Sequence, residues 1–125
     1  MSSEQELNLN TENVEPPEEK LTAPCLSDNQ FGWIVVAKNK RTNRAWEELI
    51  ARYPENAKRC YEYLHTKPTT KVPGRIFPLK GQIYQGAWEY EIAKGDRVFY
   101  TPHEEIMKVV VYYAGKHPKG NVPPP

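Results

Sequence analysis

The sequence predicts an α+β domain: a leading strand, a helical hairpin, then an antiparallel meander of three to four strands packed on the helices. Three observations carry this. Ala45, Trp46, Leu49, Ile50 and Tyr53, then Ala57, Cys60, Tyr61 and Leu64, recur at helical spacing. From Arg75 onward the pattern switches to period two, most clearly in "WEYEI". Gly and Pro punctuate the second half at intervals that suit turns rather than helices. Helices followed by consecutive strands is the α+β order.

Residues 1–30 are polar and acidic, lack any aromatic side chain and show no periodicity. Such a segment buries too little apolar surface to offset its ordering entropy, so it is predicted to be a disordered leader. Order is expected from Phe31, where "FGWIVVAK" reads as a β-branched and aromatic strand to Lys38. Thr42 or Asn43 is the expected N-cap of the first helix, with Glu47 adding negative charge near its start. Pro54 interrupts the apolar face and suits the first turn of a second helix, about residues 55–65. Pro68 closes that unit.

The remainder reads as β-structure. "RIFPL" is a short strand, and "WEYEIA" sets Trp88, Tyr90 and Ile92 on one face against Glu89, Glu91 and Ala93 on the other. "KGD" is a hairpin turn, "RVFYTP" its return strand, and "IMKVVVYYAG" the last strand. A domain at 31–120 is therefore expected, with a flexible Pro-rich tail at 121–125.

A chain of 125 residues suits one domain. Its longest apolar runs fall well short of the ~20 residues that span a bilayer, and no basic-then-apolar signal opens it, so a cytoplasmic protein is expected. Cys25 and Cys60 show no metal-ligand spacing, and neither a zinc site nor another cofactor is expected. Net charge is +1, but it divides unevenly. Residues 1–30 hold seven acidic side chains against Lys20 alone, a net of −6; the other 95 residues hold 16 Lys and Arg against 9 Asp and Glu, a net of +7. A basic body favours polyanionic partners, nucleic acid or an acidic protein.

The position of Arg97 depends on the turn before it. A two-residue Gly95-Asp96 loop pairs Lys94 with Arg97 and seats the charge on the face of Trp88, Tyr90 and Ile92. A three-residue loop, 94–96, pairs Ala93 with Arg97 and puts it on the outer face with Glu89, Glu91 and Phe99. Because an unpaired charge on the apolar face is costly, the three-residue register is expected.

"PLKG", "WEYEI", "RVFY" and the strand ending in "AGKH" stand in this order, after a strand and a helical hairpin. Together they resemble the RelE/ParE superfamily of bacterial toxins over about residues 31–118. Members carry Leu-[Lys/Arg]-Gly before the central hairpin, Arg-hydrophobic-hydrophobic-Tyr after its turn, and Gly-x-[Arg/His] at the close of the last strand. The resemblance implies the toxin of a type II toxin–antitoxin pair. Its partner would be a cognate antitoxin, and its reaction ribosome-dependent cleavage of messenger RNA.

In that reaction the 2′-hydroxyl attacks the adjacent phosphorus and leaves a cyclic phosphate. By resemblance Arg97 stabilises charge on the phosphate oxygens, a task that suits the fork of a guanidinium. His117 matches the position of a proton-transfer group, and its reference pKa near 6.5 fits that work. Glu89 or Glu91 is assigned as general base from its place on the open strand face. Lys80, Lys94, Lys116 and Lys119 are candidates to hold phosphates without reading sequence, and Phe99 and Tyr113 to stack on bases. His65 and His103 match no motif and are expected at the surface.

The departures are informative. Several nucleases of the family place lysines where Glu89 and Glu91 stand, and carboxylates there repel phosphate. The acidic leader is foreign to such toxins; it suggests either a solubilising tail or a mask over the basic face. Two further readings stay open: a ParE-like inhibitor of DNA gyrase without nuclease chemistry, and a catalytically inactive member that serves as a partner-binding module.

Overall fold

The computed structural model describes residues 17–24 and 32–125. The chain is α+β, with two helices on one face of a six-stranded mixed sheet. The strands are β1 (Glu19–Lys20), β2 (Ile34–Ala37), β3 (Ile76–Pro78), β4 (Trp88–Ala93), β5 (Asp96–His103) and β6 (Lys108–Lys116). Their order is β1-β2-β6-β5-β4-β3. β2 and β6 run parallel, while the other neighbours are antiparallel. The last strand thus lies between the leading strand and the meander. The meander occupies one half of the sheet, with Pro78 tolerated on its outermost strand.

The helices are α1 (Lys40–Arg52) and α2 (Pro54–Thr66). The N-cap of α1 is Asn39, not Thr42 or Asn43. Asn39 Oδ1 accepts from the Thr42 amide (2.9 Å) and the Thr42 hydroxyl (3.0 Å), so Thr42 lies inside the helix that it was expected to begin. Pro54 opens α2 as expected. Trp46, Leu49, Ala57, Cys60 and Leu64 are fully buried, and Ala45, Ile50 and Tyr53 pack at the margin of the same core. The sheet meets them with Val35, Ala37, Ile76, Tyr90, Ile92, Val98, Tyr100, Val109 and Val111.

The opposite face of the sheet carries a second, smaller core. Ala87, Phe99 and Tyr112 are buried there, with Leu79, Tyr84, Tyr113 and Val122 packed around them. The loop before β4 and the C-terminal segment build it together, since the Tyr84 hydroxyl donates to the Val122 carbonyl (2.7 Å). A register shift in β6 leaves Tyr112 as an extra residue between the Phe99–Tyr113 and Tyr100–Val111 pairs. That bulge turns both Tyr112 and Tyr113 onto the Phe99 ring, at 6.1 and 5.3 Å between centroids.

Two expectations for the N-terminal part change. The leader was predicted to be disordered throughout, yet residues 19–20 form an edge strand on β2 and Leu21 is 1% exposed. A single leucine in an acidic run is too weak a pattern to signal burial, and the stabilising contacts are long-range hydrogen bonds to α1. This segment lies at the β2 edge rather than across the face that carries Arg97, so residues 18–21 do not form the mask that was one of the two readings of the leader. Leader residues 1–16 and 25–30, Cys25 among them, and Phe31 lie outside the described residues. His65 was expected at the surface but is half-buried, with Nδ1 2.9 Å from the Trp33 carbonyl and its ring stacked on Tyr61.

Candidate functional site

The β4–β5 hairpin follows neither register considered from the sequence. Ala93 pairs with Asp96 across a two-residue turn, Lys94-Gly95, and a register shift between Glu91 and Ala93 sets Glu91 opposite Arg97. Gly95 adopts φ +89°, a conformation that favours glycine. The extra residue, Ile92, points into the helix-facing core. This bulge restores the face parity of the longer loop. Arg97 therefore still shares a face with Glu89, Glu91 and Phe99.

That face is not open at Arg97. Its Nε donates to Glu89 Oε2 at 2.9 Å, and Nη1 donates to the carbonyls of Ala93 and Asp96, each at 3.1 Å. Nη2 lies 3.8 Å from Glu91 Oε1. The Arg97 side chain is 18% exposed and that of Glu89 only 8%. Every nitrogen of the guanidinium thus faces an oxygen of the protein itself. An arginine so held fixes the hairpin, and Glu89, expected on a solvated face, is a buried counter-ion.

His117 arrives at the same end of the sheet. Its backbone N–H donates to the Gly95 carbonyl (2.8 Å), which ties the end of β6 to the hairpin turn. The ring is exposed, meets Phe99 edge-on at 6.3 Å, and places Nδ1 2.9 Å from the Pro118 carbonyl. Because a carbonyl only accepts, Nδ1 is the donor in this contact. Arg97 and His117 therefore flank one Phe99-centred patch.

Other expected site residues divide by exposure. Lys80, Lys94, Lys116 and Lys119 are exposed, as a role in holding phosphate requires. Phe99 is 0% exposed, which rules out stacking on a base: it lies beneath Tyr112 and Tyr113. Tyr113 is half-buried, and its hydroxyl donates to the Lys116 carbonyl.

Two groups in this region were not anticipated. The Tyr112 hydroxyl is buried without a hydrogen-bond partner among the described residues. Burial, then the proximity of Tyr84 and Glu89, pushes its pKa up to about 12. At the helix-facing end of the hairpin Asp96 is 4% exposed, accepts from the Tyr53 hydroxyl (3.0 Å) and lies 3.6 Å from Arg52 Nη2. The hydrogen bond to Asp96, followed by the charge of Asp96, raises the Tyr53 pKa. This cluster locks the α1–α2 junction to the β4–β5 turn. Tyr53 sits at the end of an apolar face and so gave a packing signal only.

Among the described residues no three His, Cys, Asp or Glu side chains are placed to hold a metal ion, and no helix is long and apolar enough to cross a membrane. No protein-family model matches the chain, and no curated protein matches its sequence.

Proposed function

We propose that the chain is the toxin member of a toxin–antitoxin pair, with a RelE/ParE-like domain, and that it acts in the cytoplasm by binding a protein target rather than by cutting messenger RNA. Four motifs in family order support the first part, and the α+β architecture is compatible with it. The second part rests on one observation: the guanidinium of Arg97 is closed in by Glu89, Glu91 and two carbonyls. A phosphate drawn to Arg97 would meet two carboxylates first, and would have to displace a buried partner to reach the arginine. DNA gyrase is the first target to assay, because the ParE branch of the resemblance acts on it.

The alternative is the messenger RNA endonuclease, favoured by the convergence of Arg97, Glu91 and His117 around Phe99. In that reading Glu91, whose side chain is 34% exposed, accepts the 2′-proton, while His117 protonates the leaving 5′-oxygen. The two are separated by expressing the chain in bacterial cells, mapping messenger RNA 5′ ends and measuring plasmid supercoiling. Growth arrest with an unchanged end map and altered supercoiling is the expected result. New RNA ends that vanish in the His117→Ala variant would overturn the binding reading. That variant separates chemistry from folding, since the ring is exposed and its polar contact among the described residues is with the adjacent Pro118.

A further inference from the structure

After β6 the chain turns back across the outer face of the sheet. The His117 N–H is anchored to the Gly95 carbonyl, Gly120 makes a turn at φ +80°, and Val122 then meets Tyr84 in the loop between β3 and β4. Because β5 lies between β6 and β4, residues 118–122 cross over the Phe99 cluster. Their hold is slight. From Lys119 to Val122 no backbone N–H donates among the described residues, and the prolines that follow have none. The crossing is tied down by the Tyr84 hydroxyl, which donates to the Val122 carbonyl (2.7 Å), and by the Val122 side chain, while Lys119, Gly120 and Asn121 are exposed. A neutral hydrogen bond of this kind contributes little net stability, since opening exchanges it for water.

Beneath the crossing lie groups whose hydrogen-bonding capacity is unused. The Tyr112 hydroxyl is buried and has no partner among the described residues. Glu89 commits Oε2 to Arg97, and its Oε1 accepts no hydrogen bond among those residues. Burying an unpartnered hydroxyl destabilises the closed arrangement, and lifting the crossing segment lets water satisfy it. Closure is thus held by one weak tie and opposed by one desolvated donor, the condition for two arrangements close in energy. Uncovered, the Tyr112 hydroxyl and Glu89 Oε1 present one donor and one acceptor, the complement of a peptide group on a protein surface.

We infer that residues 118–125 are a reversible, autoinhibitory strap. Closed, it covers the Tyr112–Glu89 face; open, it releases that face to dock against amide groups of the chain's protein target. The inference rests on the protein-binding function proposed for this chain.

The test uses tetranitromethane, which nitrates accessible tyrosines, with each site read by peptide mass spectrometry. It is applied to the full chain, to a chain lacking residues 121–125 and to a full-length Tyr84→Phe variant. Tyr100, fully buried and donating to the Pro68 carbonyl, reports global unfolding. Nitration of Tyr112 about tenfold faster in the shortened chain and several-fold faster in Tyr84→Phe, with Tyr100 unchanged, is expected. Equal Tyr112 rates in all three chains, or Tyr112 and Tyr100 rising together, overturn the inference. Should the shortened chain fail to fold, Tyr84→Phe decides by the same two criteria, since it keeps the ring and removes only the tie. Expression in bacterial cells separates the strap from the function it rests on. Because apparent affinity scales with the open fraction, the opened chain should arrest growth at about tenfold lower expression. Arrest by opened and unaltered chains at equal expression overturns autoinhibition and leaves the toxin reading standing. Arrest by neither overturns the toxin reading and the inference with it.

Discussion

Replacing Arg97 with alanine should destabilise the domain by about 2–4 kcal/mol. The figure follows from the burial of its partner. Removing one member of a buried ion pair costs roughly 3–5 kcal/mol, because the other charge is left desolvated. With Arg97 itself 18% exposed, water can enter the vacated space, which shifts that range down to about 2–4 kcal/mol. For a domain of this size each kcal/mol lowers Tm by roughly 4–8 °C, so a fall of about 8–32 °C is expected by calorimetry. Glu89→Gln and the Glu89→Gln/Arg97→Ala double variant complete a cycle whose coupling should reach about 1.5–3 kcal/mol. A Tm change below about 3 °C with coupling under about 0.5 kcal/mol would place the pair among solvated surface bridges. Arg97 would then be free for substrate, and nuclease chemistry would be the better reading of the site. The same variant is a poor probe of catalysis alone, because lost activity and lost stability would coincide.

Tyr112→Phe should stabilise the protein at neutral pH by about 1 kcal/mol, since it removes a buried hydroxyl that has no partner among the described residues. With its folded pKa raised to about 12, Tyr112 contributes stability that is complete below the unfolded value near 10 and is lost as pH rises toward 12. Urea midpoints taken between pH 8 and 11 should therefore fall less steeply in the variant; an unchanged alkaline slope would contradict the assignment. Asn39→Ala should cost about 1 kcal/mol through loss of the α1 cap, read as a Tm decrease of roughly 4–8 °C.

The helical faces were legible because each needed only a local pattern. Trp46, Leu49, Ala57, Cys60 and Leu64 lie at helical spacing, and all are fully buried. The choice among Asn39, Thr42 and Asn43 was not legible, since all three are competent caps and the deciding contacts lie beyond the helix. Asn43 is committed to Thr22, 21 positions away, and no local signal records that. The Trp46 indole N–H did need a buried partner, but nothing named the Thr22 carbonyl as that partner. Both β-bulges escaped for a similar reason. Alternation reports which residues share a face, and an extra residue at Ile92 or Tyr112 shifts pairing without an obvious break in composition.

Arg97 shows where legible pattern and physical meaning separate. Parity alone put Glu89, Glu91 and Arg97 on one face, and the hairpin keeps them there despite a different turn. Whether that face is a site or a closed pair depends on what covers it, and the cover comes from elsewhere. Leu79 and Tyr84 approach from the loop before β4, and Val122 from the C-terminal segment; with Phe99 and Tyr112 they make the outer face a second core. Once Glu89 is buried beneath that core, its charge requires a buried partner, and Arg97 is the side chain the register supplies. The two glutamates that seemed to repel a phosphate are thus the reason the arginine stands there. Any polyanion seeking Arg97 competes with Glu89 at 2.9 Å inside a desolvated site, whereas the exposed Lys80, Lys94, Lys116 and Lys119 present no such barrier. Charge on this molecule is therefore available for attraction at its rim and committed at its centre, an arrangement that suits docking against a surface better than transition-state stabilisation.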